Sequence, residues 1–335
     1  MKLYKAVPSI VLRNGNKECA KEMNHTNDEQ FQAFLIFDVT VQSLCVIIGV
    51  TGNIFVILYN VRWNTDKNTS SYFVINLAVS DLVVCGISLP LYIVMVIQLL
   101  MGVTKPSVPC KLNYSLWYAT ISTSFVNLMM LTIDRYICIA LPLKYPQIVT
   151  KRKVSIALAS AWIAGFLNFI MVFFNTKSSK IPFKCYPSEI VVSICTILFF
   201  LLPLGVIIVF NVKTIQIARN QGRNIAAQAS SLQTSDSTAT DDLNSRKNFT
   251  RQLKLFKTIR VVFGYFLLCV TPLPVIVFIK FVICNGGCIS SYVLRVAALV
   301  AATNSVTNAF IYGIRDKEYR RSFKLLFARC CNLSG

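Results

Sequence analysis

One histidine occurs in the 335 residues, His25, in the polar stretch before the first long apolar run. A His-based catalytic centre or metal site is therefore ruled out. No Walker, H-E-x-x-H or G-x-S-x-G pattern is present either, so nothing points to an enzyme. Charge is scarce: 14% of the residues are charged, where a soluble domain carries about 25%. Acid is scarcer still, 14 residues against 34 Lys and Arg, for a formal net charge of +20. Such a surplus can mark a nucleic-acid binder, but no basic stretch is interleaved with aromatics for base stacking. The internal repeats that transporters tend to show are missing as well.

What the chain has instead is apolar sequence, 55% of the total. Seven runs stand out, at about 35–60, 71–100, 107–141, 152–175, 187–215, 253–281 and 289–313. Each exceeds the ~20 residues that cross ~30 Å of hydrocarbon. In lipid the backbone must satisfy its own polar groups, as a helix or a closed barrel. Runs this long, without period-2 alternation, select helices. The expected fold is an all-α membrane protein, a seven-transmembrane helix bundle over 35–313. An extracellular tail, 1–34, precedes it. An inner connection falls at about 216–252, and a basic amphipathic stretch with a short tail, 314–335, ends the chain.

The basic residues cluster on one side. With the amino terminus outside, most Lys and Arg fall in inner segments: Lys151-Arg152-Lys153, Arg246 to Arg260, and Arg315 to Arg329. This positive-inside bias places the carboxyl terminus inside. The basic segments are then set against anionic membrane lipid. The first fourteen residues are too interrupted for a signal peptide, so the first span is expected to act as a signal anchor in a multi-pass plasma-membrane protein. Asn24-His25-Thr26 is a glycosylation sequon in the exported tail, with Asn24 as acceptor. Cys45, Cys85, Cys138, Cys195 and Cys269 lie in or near spans and read as packing residues.

Two charges stand out in the apolar runs, Asp81 near the middle of one, in Asn76-Leu-Ala-Val-Ser-Asp81, and Arg135 toward the end of another, in Asp134-Arg135-Tyr136. A charge inside a membrane is costly and tends to be functional. Beside them stand Gly52-Asn53, Cys110, Trp162, Pro203, Phe266-Leu-Leu-Cys269-Val270-Thr-Pro272 and Asn308-Ala309-Phe-Ile-Tyr312. Helix by helix, residues 35–331 resemble the rhodopsin-like (class A) family of G-protein-coupled receptors. No subfamily match is close.

The resemblance implies a receptor that binds an extracellular ligand and activates heterotrimeric G proteins by conformational change. It makes Asp134, Arg135, Tyr136, Leu143, Asn308 and Tyr312 the switch toward the G protein, with Leu143 as the apolar knob that docks on it. The bland reading of Arg135 is an interfacial side chain that snorkels to headgroups. Around Asp81 the family pattern sets Asn53, Ser124, Asn304, Ser305 and Asn308. It implies sodium there as an allosteric modulator, and no other cofactor. The alternative is a protonated Asp81 in a packing network. Cys110 and Cys185 are expected to form a disulfide across the pocket mouth in an oxidising compartment. Cys284 and Cys288, in a glycine-bearing loop, are expected to form a second, with Cys19 as a competing partner. Residues 315–323 look like the family's short eighth helix, and Cys330-Cys331 after it is a palmitoylation candidate.

The ligand pocket is expected around Trp117, Val270, Lys280 and Arg295. Trp117 stands where amine receptors keep an aspartate, and Ala302 where opsins keep the retinal lysine. The outer loops carry several lysines and one acid, Glu189, so a carboxylate or phosphate ligand is an option. Four features depart from the family: Val270 for a tryptophan, Ala309 for a proline, Asn211 for a tyrosine, and a fourth helix without its usual outer proline; Gln252 stands, besides, where many relatives carry a glutamate. They keep open an atypical receptor-fold protein, such as a decoy, a chaperone or a constitutively active form. Ser230, Ser231, Thr234, Ser235, Ser237, Thr238 and Thr240 lie in a polar, aperiodic part of the third inner loop. That segment is accessible to receptor kinases and then to arrestin, or it is only a linker.

Overall fold

In the computed structural model, which describes residues 17–63, 69–105, 107–178, 185–231, 260–284, 289–315 and 321, the apolar runs are long helices. Among the described residues six are long and apolar enough to cross a membrane: α1 (Glu29–Arg62), α2 (Ser71–Leu100), α3 (Cys110–Ala140), α4 (Lys151–Asn175), α5 (Glu189–Gln221) and α6 (Arg260–Ile283). A further helix, α7 (Ser291–Arg315), packs against α1, α2 and α6. It carries buried Asn304, Ser305 and Asn308 inward. These bounds follow the seven apolar runs closely. The backbone of α1 is helical from Lys17, and that of α5 continues to Ser231. The helix thus runs well past 216, into the expected inner connection.

Lipid-facing surfaces keep their apolar side chains outward: Ile47, Ile163, Phe166 and Leu268 are all exposed. Such a surface would be unstable in water and suits a hydrocarbon solvent. Proline shapes two of the helices. Its ring collides with the carbonyl four residues back. Ahead of Pro90 and Pro203 the helix widens to an i→i+5 turn, at Val84–Ser88 and Ile197–Leu201, and each widened stretch contains that fourth residue. At Pro272 the helix is interrupted one residue earlier, at Thr271. Gly102, at φ +69°, lets the chain leave α2 in a conformation that side chains resist.

α3 is the central strut, packed on α2, α4 and α5. At mid-depth Phe125 meets Phe200 of α5 and Phe266 of α6 edge-on, with centroids 5.1 and 4.6 Å apart. These rings anchor the main apolar core. Against α4, Gly165 permits close approach: a Cβ there would collide with Thr123 Oγ1 and lie 2.9 Å from the Ala119 carbonyl oxygen. Trp162 Nε1 donates to Asn76 Oδ1 at 2.8 Å, and Asn76 Nδ2 donates to Asn127 Oδ1 at 3.0 Å, tying α4, α2 and α3 together.

On the outer side, a two-stranded hairpin, β1 (Thr176–Ser178) and β2 (Cys185–Pro187), joins α4 to α5. Cys185 is bonded to Cys110 at the head of α3, with Cα atoms 6.0 Å apart, so the expected first disulfide is present. Cys284 is also in a disulfide, while Cys288 lies outside the described residues. The five cysteines read as packing residues are free and buried. Gln252, Cys330, Cys331 and most of the tail after Arg315 lie outside the described residues, as do 232–259 and the side chains of Asn24, Ala309 and Tyr312.

Candidate functional site

The expected site residues fall in three tiers along the bundle. At the inner end of α3, Arg135 is 2% exposed, although it is the largest of the fully buried side chains. Its Nε and Nη2 donate to Asp134 Oδ2 at 2.9 and 2.6 Å. The fork and the carboxylate make a charge-assisted pair between neighbours on one helix. The other carboxylate oxygen is taken from outside α3. The Tyr145 hydroxyl, on a helical turn (Tyr145–Ile148) between α3 and α4, donates to Asp134 Oδ1 at 2.7 Å. Arg135 Nη2 approaches the same hydroxyl at 3.4 Å. Burial, with the Asp134 carboxylate beside it, holds the Tyr145 phenol above its ordinary value, so it stays a donor. Two residues before Tyr145, Leu143 is 92% exposed, an apolar side chain on the inner loop with nothing covering it. Tyr136 packs edge-on against Phe210 of α5, with centroids 4.9 Å apart. Asn211 Nδ2 donates to the Ile207 carbonyl of its own helix at 2.9 Å.

The middle tier surrounds Asp81, which is 1% exposed. Asn308 Nδ2 donates to Asp81 Oδ2 at 2.7 Å, joining α7 to α2. Asn53 Nδ2 donates to the Ser305 carbonyl at 2.8 Å, joining α1 to α7. Ser124 and Ser80 hydroxyls lie 3.4 Å apart between α3 and α2. Asp81 and the five residues expected around it are thus all buried in this part of the bundle. Four acceptors in the set have no hydrogen-bond partner: Asp81 Oδ1, Asn53 Oδ1, Asn304 Oδ1 and Asn308 Oδ1. Buried acceptors rarely go unsatisfied. An oxygen-only set with one carboxylate and an excess of acceptors fits a small hard cation.

Toward the outside, a cavity of about 20 Å³ connects this tier with the expected ligand region. Trp117 and Val270 line it above, Ser124, Asn304 and Ser305 below. Its volume suits a water molecule and is far below the roughly 300–1,000 Å³ of a ligand pocket. Around it, Val192, Leu273, Val277 and Phe281 pack with Trp117 and Tyr118 into an apolar cluster between α3, α5, α6 and α7. Lys280 stands 6.0 Å from the Phe281 ring centroid. Arg295 lies apart, turned toward α1 and α2: its Nη1 donates to the Tyr92 hydroxyl at 2.9 Å and is 4.0 Å from Asp38 Oδ2. The loops alone suggest an acid-poor rim, but Asp38 supplies Arg295 with an internal counter-charge.

Sequence reasoning missed Tyr145, Phe125, Phe200, Asp38 and Tyr92. A hydroxyl or a ring acquires its role from a partner many residues away. For Asp38 a signal was available, since it is an acid within the first apolar run.

The family model described as 7 transmembrane receptor (rhodopsin family) matches residues 52–312. The chain belongs to this family: it is a multi-pass plasma-membrane receptor of the G-protein-coupled class, not an enzyme. It is similar to the alpha-1A adrenergic receptor of Oryzias latipes, 26% identical over 321 residues, covering 87% of this chain and 66% of that receptor. It is similar to the histamine H2 receptor of Cavia porcellus, 24% identical over 316 residues, 90% of this chain and 82% of that receptor. The adenosine receptor A3 of Ovis aries is 26% identical over 308 residues, 87% of this chain and 90% of that receptor. The three names point to different ligands, so similarity selects none for this chain.

Proposed function

We propose that this receptor binds an extracellular ligand and, by changing shape, catalyses nucleotide exchange on a heterotrimeric G protein. The observation that carries the reading is the inner tier: Arg135 is buried on Asp134 and held by Tyr145, beside the uncovered Leu143. A buried pair of neighbours on one helix, held as well by a hydroxyl from outside that helix, can exchange partners when that hold loosens. Arg135 is then free to turn toward a bound protein, with Leu143 as the apolar contact.

The ligand acts near Trp117 and Val270, where the cavity wall adjoins Ser124, Asn304 and Ser305. Widening that wall moves α6 against α3 and α7, and the ring cluster of Phe125, Phe200 and Phe266 transmits the shift inward. Asp81, Asn53, Ser124, Asn304, Ser305 and Asn308 would hold a sodium ion, which would supply the counter-charge to the Asp81 carboxylate and favour the compact arrangement. Tyr312 belongs to the same switch. Receptor kinases and arrestin are further partners, acting on the hydroxyl-rich segment from Ser230 to Thr240. The direct test reconstitutes the purified receptor with a panel of heterotrimeric G proteins and follows guanine-nucleotide exchange. Acceleration of at least one is expected, and none from a folded receptor would reject the proposal.

A further inference from the structure

Four charged side chains are buried among the described residues: Asp38, Asp81, Asp134 and Arg135. Three belong to the inner and middle tiers. Asp38 does not. It lies in the outer half of α1 and is 0% exposed. The Tyr92 hydroxyl, from α2, donates to Asp38 Oδ2 at 2.6 Å. That hydroxyl accepts from Arg295 Nη1, from α7, at 2.9 Å. The Arg295 guanidinium also stands 5.9 Å from the Tyr92 ring centroid. Gln42, one turn along α1, donates to Asp38 Oδ1 at 3.4 Å. One hydroxyl therefore bridges a carboxylate and a guanidinium that belong to three different helices.

A buried ion pair is weak evidence for stability, because desolvation offsets attraction, but it can specify one packing over another. Here the packing it specifies is that of α7. One turn outward, the rings of Phe34 on α1 and Tyr292 on α7 touch, with centroids 4.3 Å apart. Further in, Asn308 is bonded to Asp81, and Asn53 to the Ser305 carbonyl. α7 is thus tied to α1 and α2 at two depths. Toward α6 the polar contacts are longer, with the Tyr265 and Thr303 hydroxyls 3.3 Å apart and Thr303 Oγ1 4.0 Å from Cys269 Sγ.

We propose that Asp38, Tyr92 and Arg295 form an interhelical clasp that holds the outer end of α7 against α1 and α2, making these three helices one body in the outer leaflet. Arg295 is a positioning residue, and any widening of the outer bundle takes place between α7 and α6. The proposal does not depend on G-protein coupling. It is tested with nitroxide labels on the exposed positions Phe37 of α1 and Val293 of α7, in receptor held in nanodiscs, by pulsed dipolar distance measurement. The intact clasp should give one narrow distance. Asp38→Asn and Arg295→Gln should each broaden it or shift its mean by about 2 Å or more, the scale of helix shifts at interfaces. The double variant should be no worse than the poorer single one. Should those variants fail to fold, Tyr92→Phe removes only the bridging hydroxyl and should broaden the distance by itself. An unchanged narrow distance in folded Asp38→Asn and Arg295→Gln, or in Tyr92→Phe where those do not fold, would overturn the clasp.

Discussion

Replacing Tyr145 by Phe removes one oxygen and keeps the ring, so packing is preserved and the hydroxyl's hydrogen bonds, chiefly that to Asp134, are lost. That tie is a 2.7 Å hydrogen bond to a carboxylate. Hydrogen bonds to charged groups contribute about 1.5–3 kcal/mol. Tyr145 is only partly buried, and its 3.4 Å contact with Arg135 adds little, so the lower end applies. At about 1.4 kcal/mol per tenfold, losing the tie from the compact state alone raises the active fraction roughly tenfold. The assay is basal nucleotide exchange normalised to surface receptor, with the melting temperature measured alongside. Tyr145→Phe should raise basal exchange several-fold and lower the melting temperature slightly. Wild-type values in both measurements would refute the view that Tyr145 restrains the Asp134–Arg135 pair.

Three further outcomes are expected. Cys110→Ser or Cys185→Ser opens a bond spanning 75 residues of sequence, which on the loop-entropy scale costs about 4 kcal/mol; surface expression should fall, and peptide mapping that found both thiols free in the natural protein would contradict it. Asp81→Asn should abolish any sodium dependence of the melting temperature, and an equal sodium response in both proteins would reject Asp81 as a ligand. Gly165→Val places a side chain against Thr123 and the Ala119 carbonyl; overpacking of this kind costs about 1–3 kcal/mol, and an unchanged melting temperature would contradict the close α3–α4 contact.

The helical spans were legible because hydrocarbon allows few alternatives: long apolar runs must become helices, and the bounds of α2 and α4 fall within a residue or two of the runs. Asp81 and Arg135 were legible as charges deep in such runs. Asp38 carried a similar signal, an acid in an apolar run, but near the outer end of a span it read as interfacial, and its partners lie 54 residues away at Tyr92 and farther still at Arg295. Arg295 consequently read as an uncompensated rim cation. Tyr145 was hidden in Pro142-Leu-Lys-Tyr-Pro146, which signals a turn without revealing that its hydroxyl reaches back 11 residues to Asp134. The ring cluster on Phe125 was equally invisible, since an apolar helix offers many aromatics and only packing selects three.

The central claim is that the inner tier is the switch acting on a G protein. Its most direct test is nucleotide exchange on purified heterotrimeric G proteins by wild-type receptor, Arg135→Ala and Leu143→Ala, at matched amounts of folded protein. Leu143 is 92% exposed, so its truncation leaves the fold intact and reads only the contact with the partner. The account predicts that wild type accelerates exchange on at least one G protein, that Arg135→Ala abolishes the acceleration, and that Leu143→Ala reduces it severalfold. Equal exchange by all three proteins would contradict it.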